Sequence, residues 1–196
     1  SILSIIILGL SINWLAASFL AFTIFFYAVV YTMWLKRHTV QNIVIGGAAG
    51  AFPPIIGHIC ATGSIGIEAL ILFLIIFLWT PPHFWALALV NKSDYRAAKI
   101  PMLPIIYGDM ATRKNIFIYS LLLMPCVYLP WILNYSGNFY MIVVTLLNIE
   151  FIRRSISVLK ENKDSEKGLF VYSIFYLSIL FASICLDKFI SNFMIG

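Results

Sequence analysis

The chain has 196 residues, of which 62% are hydrophobic and only 11% are charged, whereas soluble domains carry about 25% charged residues. This composition excludes an ordinary soluble fold and predicts an all-α integral membrane bundle, a single domain over residues 1–196. The net charge of +5 does not indicate a nucleic-acid partner, because the basic residues flank hydrophobic runs instead of forming a patch with interleaved aromatic residues.

Apolar runs alternate with short polar stretches along the whole chain, and a bilayer requires about 20 apolar residues per helical span. The pattern predicts a stub at 2–10 and six spans at 13–33, 43–60, 67–90, 115–134, 139–158 and 169–190. The chain starts at Ser1, inside an apolar run with no charged segment before it, so we expect that an N-terminal part is missing and that no signal peptide is present.

Twelve of the 13 basic residues lie in three of the polar stretches, at 34–41, 91–114 and 153–168. The alternate connections, around 61–66 and 134–138, contain no Lys or Arg. Because basic loops stay on the cytoplasmic side, this alternation predicts that all three face the cytoplasm from a multi-pass protein of the inner membrane.

Lys36 and Arg37 are adjacent cations in the first basic loop, beside Tyr31, Gln41 and Asn42. Aromatic and basic residues at the end of a span are typical of an anchor at the lipid headgroups. The same residues suit an anionic group such as a diphosphate, because Lys supplies a point charge and Arg a planar fork. Composition leaves both interpretations open.

The second basic loop contains Asp94 among basic and hydroxyl neighbours, with Tyr95 and Lys99 following. Asp94 either pairs with Lys92 or Arg96 at the surface or helps to hold Mg²⁺ on a diphosphate, since Mg²⁺ takes one or two protein carboxylates. Pro101, Pro104 and Gly108 make a turn-rich loop more plausible than a continuous helix.

Two motifs lie inside the predicted spans. Pro81 and Pro82 predict a break in the span 67–90, and the adjacent His83 faces either a substrate cavity or a freed carbonyl, with metal ligation a weaker alternative. Gly46 and Gly50 form a G-x-x-x-G pair, which indicates close helix packing or room for a bulky ligand.

Three blocks of sequence together resemble the haem O synthase branch of the UbiA-type intramembrane prenyltransferases. They are YT-x-WLKR-x-T-x-QNIVIGGAAGA-x-PP from Tyr31 to Pro54, F-x-WTPPHFWALAL from Phe77 to Leu89, and DY-x-x-A-x-IPMLP from Asp94 to Pro104. The resemblance implies a bundle of about nine helices around a cavity, of which this chain would be a fragment. It also implies farnesyl diphosphate and haem b as substrates and Mg²⁺ as cofactor.

The resemblance assigns Asp94 to the metal, Lys36 and Arg37 to the diphosphate, and a substrate-facing position to His83. The substrate-binding set it predicts is Tyr31, Gln41, Asn42, His83, Tyr95 and Lys99. Aromatic residues that could shield an allylic cation are Tyr31, Trp34, Phe84 and Trp85. The product, haem O, would serve terminal oxidases, with haem A synthase or oxidase assembly as candidate partners.

This chain departs from the wider family in one respect, because the first acidic motif, N-x-x-x-D-x-x-x-D, is absent and no acidic residue precedes Glu68. We therefore expect the chain by itself to be inactive. Two alternatives remain: a prenyltransferase acting on an aromatic acid, or a non-catalytic membrane subunit or transporter. Helices broken at Pro53-Pro54 and at Pro81-Pro82 would also suit a transporter.

Overall fold

The computed structural model describes residues 1–195, with side chains through residue 190. This part of the chain consists of helices and turns, with no strand, so the predicted all-α helical bundle is confirmed. The α-helices are α1 (Ile2–Ser11), α2 (Trp14–Phe25), α3 (Asn42–Ala51), α4 (Pro53–Thr62), α5 (Ile67–Val90), α6 (Lys92–Ala97), α7 (Leu103–Ile106), α8 (Asp109–Cys126), α9 (Leu129–Ile132), α10 (Asn138–Leu159) and α11 (Ser165–Ile195). A π-helical segment, Phe26–Leu35, continues α2.

Five helical segments are long and apolar enough to cross a membrane: Trp14–Leu35, Asn42–Thr62, Ile67–Val90, Asp109–Ile132 and Ser165–Ile190. They coincide with five of the six predicted spans. The sixth predicted span coincides with α10, which has 22 residues and is therefore about 33 Å long. Helix α10 is not among the five apolar segments, and it carries Glu150, Arg153 and Arg154 in its second half. Glu150 accepts hydrogen bonds from both arginines, so one of the two positive charges is compensated and one remains.

The Asn42–Thr62 segment is interrupted at Phe52, where α3 ends and α4 begins with Pro53. Proline has no N–H to donate and is well tolerated in the first turn of a helix, so Pro53 and Pro54 start a new helix instead of extending α3. This interruption agrees with the broken helix expected from the sequence.

The break predicted at Pro81 and Pro82 was wrong, since α5 runs without interruption from Ile67 to Val90. Side-chain anchors flank the prolines: Trp79 Nε1 donates to the carbonyl of Ser173 at 2.8 Å, and Thr80 Oγ1 donates to the carbonyl of Ile76 at 2.7 Å. Both prolines are buried. Packing by neighbouring helices therefore holds the segment helical where its own hydrogen-bond ladder is incomplete.

Helix α5 lies at the centre of the bundle, where it packs against α3, α4, α8 and α11. The core around it contains large side chains that are fully buried, among them Trp85, Tyr140, Phe151 and Tyr176. The 91–114 region is turn-rich, as expected, and forms the short helices α6 and α7 before α8 begins at Asp109.

The structure brings the three basic loops to one end of the bundle. Asn42 Nδ2 donates to the carbonyl of Pro101 at 3.5 Å, which connects the first loop to the second. Arg113 pairs with Glu161 and with Glu166 at 2.8 Å each, which connects the second loop to the third. We call this the basic end of the bundle.

Candidate functional site

A cavity of about 420 Å³ lies between the π-helical segment, α3, α5 and the loop after α6, and it reaches the basic end. We call it the central cavity. Most of its wall is aromatic or apolar, and its polar groups are few. Its lining consists of Tyr27, Tyr31, Lys36, Asn42, Ile43, Gly46, Gly47, Gly50, Ile76, Trp79, Thr80, Phe84, Tyr95, Ile100 and Met102.

Glycines on α3 make the space for the central cavity and its wall. A Cβ atom on Gly46 would lie 2.4 Å from the ring of Tyr31, so the tyrosine packs directly on the helix backbone. A Cβ on Gly47 would lie 2.9 Å from Thr80, which makes Gly47 the close-packing point between α3 and α5. At Gly50 a Cβ would meet no atom within 4 Å. Gly46 and Gly50 therefore border the cavity, while the helix contact lies at Gly47.

The π-helical segment places two tyrosines at the cavity, together with Lys36, the residue that follows the segment. Its i→i+5 hydrogen bonds are seen where Lys36 N donates to the carbonyl of Tyr31 at 2.8 Å. The rings of Tyr27 and Tyr31 lie 5.6 Å apart, centroid to centroid. Runs of π-helix are rare and often occur at functional sites. In this one Tyr27 and Tyr31 line the same cavity as Lys36, which follows the segment.

Asn42 is 1% exposed, and its amide geometry is fixed by its neighbours. Its Nδ2 donates to the carbonyls of Lys36 and Pro101, at 3.2 and 3.5 Å. Its Oδ1 has no hydrogen-bond partner in the described part of the chain. Because leaving a buried acceptor unsatisfied costs about 1–3 kcal/mol, the oxygen is a candidate contact for a bound ligand.

Four cations lie on the wall of the central cavity or next in sequence to residues that line it; they are Lys36, Arg37, Arg96 and Lys99. None of them forms an ion pair with any residue between 1 and 190. Lys92, at the same end of the bundle, pairs with Asp109 at 2.5 Å, whereas Lys114 and Lys163 form no ion pair among the described residues. Unpaired positive charge is therefore present at the mouth of the cavity, where it favours an anion.

Of the predicted site residues, Tyr31, Lys36, Asn42 and Tyr95 line the cavity. Burial raises the pKa of the Tyr95 phenol, so this residue is a neutral hydrogen-bonding group at neutral pH. Four further predicted residues do not line it and are solvent-exposed beside its mouth; they are Arg37, Gln41, Asp94 and Lys99.

His83 also does not line the cavity. It is 8% exposed, and its ring stacks between Trp79 and Phe170, with centroid distances of 4.4 and 4.7 Å. Its Nδ1 lies 2.6 Å from the hydroxyl of Ser173. The structure thus places His83 behind the cavity wall, while its neighbour Phe84 reaches the cavity.

Two of the four aromatic candidates, Tyr31 and Phe84, line the cavity. Trp34 is exposed, and Trp85 is buried against Tyr119 in the core. Sequence reasoning missed much of the wall, namely Tyr27, Ile43, Ile76, Trp79, Thr80, Ile100 and Met102. Of these, Tyr27 carried a usable signal, because it lies four residues before Tyr31 on the same helical segment.

A second, more apolar cavity of about 460 Å³ adjoins the first between α2, the π-helical segment and α3. Tyr27 and Gly50 line both cavities. The combined space has polar groups and unpaired cations at the basic end and an apolar interior beyond them. Such a site suits an amphipathic anion with a hydrocarbon tail.

The described residues contain no cluster of three His, Cys, Asp or Glu side chains that could enclose a metal. They do offer single ligands. Asp94 forms no ion pair within the described chain, and the one side-chain hydrogen bond seen for it there is from the hydroxyl of Ser93. The Asn42 Oδ1 atom has no hydrogen-bond partner among the described residues. This donor set fits Mg²⁺ held mainly by phosphate oxygens and water, which needs only one or two protein ligands.

Comparison with known proteins agrees with this geometry. A protoheme IX farnesyltransferase 2 of Mesorhizobium japonicum is 53% identical over 193 residues, which cover 96% of this chain and 62% of that protein. Protoheme IX farnesyltransferases of Bartonella henselae and Brucella ovis are 51% and 52% identical, covering 100% and 93% of this chain and 64% and 60% of their own lengths. The chain thus spans about three fifths of the length of these curated relatives.

No solved structure matches the chain. The sequence profile of the UbiA prenyltransferase family matches residues 1–180, which is most of the sequence. The chain therefore belongs to the UbiA prenyltransferase family.

Proposed function

We propose that this chain forms part of a protoheme IX farnesyltransferase, which transfers the farnesyl group of farnesyl diphosphate to a vinyl group of haem b and gives haem O. The observation that carries the proposal is the central cavity itself, with unpaired cations at its mouth and an apolar interior. Relatives that are 53% and 52% identical to this chain over the aligned residues carry the name protoheme IX farnesyltransferase.

In this proposal the diphosphate lies at the basic end and the farnesyl chain extends into the apolar space. Lys36 contacts the diphosphate from the cavity wall, and the exposed Arg37 and Lys99 add positive charge at the mouth. Tyr95 and Asn42 provide hydrogen bonds, the first as a neutral phenol and the second through its oxygen or through a bridging water.

Departure of the diphosphate leaves an allylic cation, which the haem vinyl group attacks, and a water molecule then adds to the new carbocation and loses a proton to give the hydroxyl group of haem O. The site must stabilise charge at both ends of the breaking bond. The cations at the mouth favour the developing negative charge of the leaving group. The rings of Tyr27, Tyr31 and Phe84 face the cavity, where their π-electrons can stabilise the allylic cation and exclude water. Mg²⁺ bound with the diphosphate would neutralise more of its charge, and Asp94 is the carboxylate of this chain placed to help hold it.

Two further points belong to the proposal. We place the basic end in the cytoplasm and the protein in the inner membrane, on the strength of the 12 basic residues gathered there. A cytoplasm-dependent reporter fused after residue 110 and after residue 162 should be active at both positions, and silence at either would refute this topology. Haem O would pass to haem A synthase or to terminal oxidase assembly.

The function is tested with a protein of the relatives' full length, in which this chain is joined to the remaining part of a curated relative. Membranes that contain it receive farnesyl diphosphate, haem b and Mg²⁺, and we expect haem O to form there, but not in membranes that contain the 196-residue chain by itself, which lacks the first acidic motif. Chromatography with mass detection distinguishes haem O from haem b by the added farnesyl and hydroxyl groups. Farnesylation of an aromatic acid instead of haem would favour the other prenyltransferase. The transporter alternative relied on two broken helices, and only the break at Pro53 is present, because α5 is not broken at Pro81 and Pro82.

A further inference from the structure

A second polar pocket lies at the end of the bundle opposite to the basic end. It has a volume of about 280 Å³ and is formed by α4, α5, α11 and the connection between α9 and α10. Its polar residues are His58, Glu68, Tyr135, Ser136 and Lys188. We call it the outer pocket. It shares no lining residue with the central cavity.

The outer pocket lies near the level of the lipid headgroups on that side. Helix α11 begins at Ser165 at the basic end, and Lys188 is 23 residues further along the chain. At 1.5 Å per residue this is about 35 Å, slightly more than the hydrocarbon thickness of a bilayer. Ile71, Leu72 and Ile184 supply apolar walls beside the polar groups.

Opposite charges line this pocket without pairing to each other. Glu68 and Lys188 form no ion pair in the described part of the chain. One carboxylate and one ammonium leave the pocket close to neutral as a whole, with positive and negative ends. This arrangement complements a ligand that carries both charges.

Two further observations indicate a built site. A Cβ on Gly66 would lie 2.3 Å from His58 Nε2 and 2.6 Å from Glu68 Oε2, so the two side chains converge on one point that only glycine leaves open. Ser136 is 9% exposed, and its buried hydroxyl has no hydrogen-bond partner among the described residues. An unsatisfied buried hydroxyl is costly unless a ligand or water contacts it.

We propose that the outer pocket binds the headgroup of a zwitterionic phospholipid, of the phosphoethanolamine type. The carboxylate of Glu68 accepts hydrogen bonds from the primary ammonium, with His58 beside it. Lys188 and the hydroxyls of Tyr135 and Ser136 contact the phosphate. The apolar walls adjoin the first carbons of the acyl chains, which fixes the lipid against α5 and α11.

The test is lipid retention by the purified protein, measured by native mass spectrometry in an equimolar mixture of phosphatidylethanolamine and phosphatidylglycerol. The second lipid has the phosphate but lacks the amine. We expect the wild-type protein to retain phosphatidylethanolamine about tenfold more, as one charge-assisted hydrogen bond to the amine would give. Equal retention of the two lipids would overturn the proposal.

Variants separate the two ends of the headgroup. Glu68→Gln should abolish the preference between the lipids, and Lys188→Gln should lower retention of both. Asp164→Asn and Lys163→Gln make the same changes of charge at the basic end and should leave retention unaltered. Preference that survives Glu68→Gln in protein that elutes as a folded monodisperse species would refute the role of the carboxylate, and Glu68→Asp provides a milder variant if the first misfolds.

Soluble glycerophosphoethanolamine distinguishes the membrane from a free ligand as the source of the headgroup. If millimolar amounts leave the bound lipid in place, the lipid itself is the ligand. If they displace it fully, the phosphate–amine chemistry stands and the bilayer is rejected as its source.

Discussion

Neutralising Lys36 is the perturbation for which the structure makes the clearest quantitative prediction. Lys36 is the only lysine or arginine among the residues that line the central cavity, and it has no ion-pair partner between residues 1 and 190. A hydrogen bond to a charged group contributes about 1.5–3 kcal/mol. Lys36 is only partly buried, so we take the lower end of this range.

Lys36→Gln should therefore lower kcat/KM for farnesyl diphosphate by about tenfold, with each tenfold change corresponding to about 1.4 kcal/mol. Lys36→Arg keeps the positive charge and should recover most of the activity. The assay uses the full-length protein in which this chain is joined to the remaining part of a curated relative, and it measures the initial rate of haem O formation over a range of farnesyl diphosphate concentrations at matched levels of membrane protein.

Lys92→Gln is the matched control. Lys92 lies at the same end of the bundle, but its ammonium already contacts Asp109 at 2.5 Å, with the two side chains 31% and 44% exposed. Surface pairs of this kind contribute about 0–1 kcal/mol to stability. We therefore expect Lys92→Gln to have little effect on the rate. If Lys36→Gln is as active as Lys92→Gln at every substrate concentration, Lys36 does not contact the diphosphate.

Three more substitutions test other parts of the structure. Gly46→Ala places a methyl group 2.4 Å from a tyrosine ring and should lower the thermal unfolding temperature, whereas Gly50→Ala meets no atom and should not; equal unfolding temperatures would contradict the packing. Asp94→Asn should raise the Mg²⁺ concentration needed for half-maximal activity, with the exposed Asp164→Asn as control, and identical Mg²⁺ dependence would remove the metal role. Asp187→Ala leaves two backbone N–H groups at the start of α10 without the carboxylate that accepts their hydrogen bonds, and it should destabilise the protein by about 1–3 kcal/mol in thermal unfolding. An unchanged unfolding temperature would show that this carboxylate does not stabilise the fold.

The Asp94 control illustrates what only the structure provides. In the sequence alone Asp109 is comparable to Asp94, because both are acidic residues in the same basic loop. The structure pairs Asp109 with Lys92 and leaves Asp94 without an ion pair among the residues it describes. Asp164, which is exposed and forms no ion pair there, is therefore the better comparison. Pairing depends on which helices meet, and a linear sequence does not contain that information.

Hydropathy was sufficient to locate most of the bundle, since burial of about 20 apolar residues per span leaves a strong local signal. Hydropathy could not show whether α5 is continuous, because a proline in the sequence indicates a break. In the structure Trp79 anchors the helix to a residue distant in sequence, and Thr80 anchors it to the preceding turn. Pro53 does coincide with a break, because it is the first residue of α4 and does not lie in the middle of a helix.

The sequence predicted only part of the candidate site, because apolar wall residues carry no distinctive local signal. Lys36 and Asn42 were identifiable because polar residues at the end of a span are conspicuous. The facing wall from α5 was not, because Ile76 and Trp79 look like any other apolar residue of a span. His83 was conspicuous as an ionisable group near the bilayer, yet its ring is used in a stack with Trp79 and Phe170.

Photo-crosslinking would show where the prenyl donor binds. A farnesyl diphosphate analogue with a photoreactive group on its chain would be irradiated with the membrane protein, and the labelled peptides would be mapped by mass spectrometry. We predict labels on the π-helical segment, on α3 and on residues 76–84 of α5, all lost when excess farnesyl diphosphate is present. Labels confined to α8, α10 or α11, or labels that farnesyl diphosphate does not displace, would show that the central cavity is not the site of prenyl transfer.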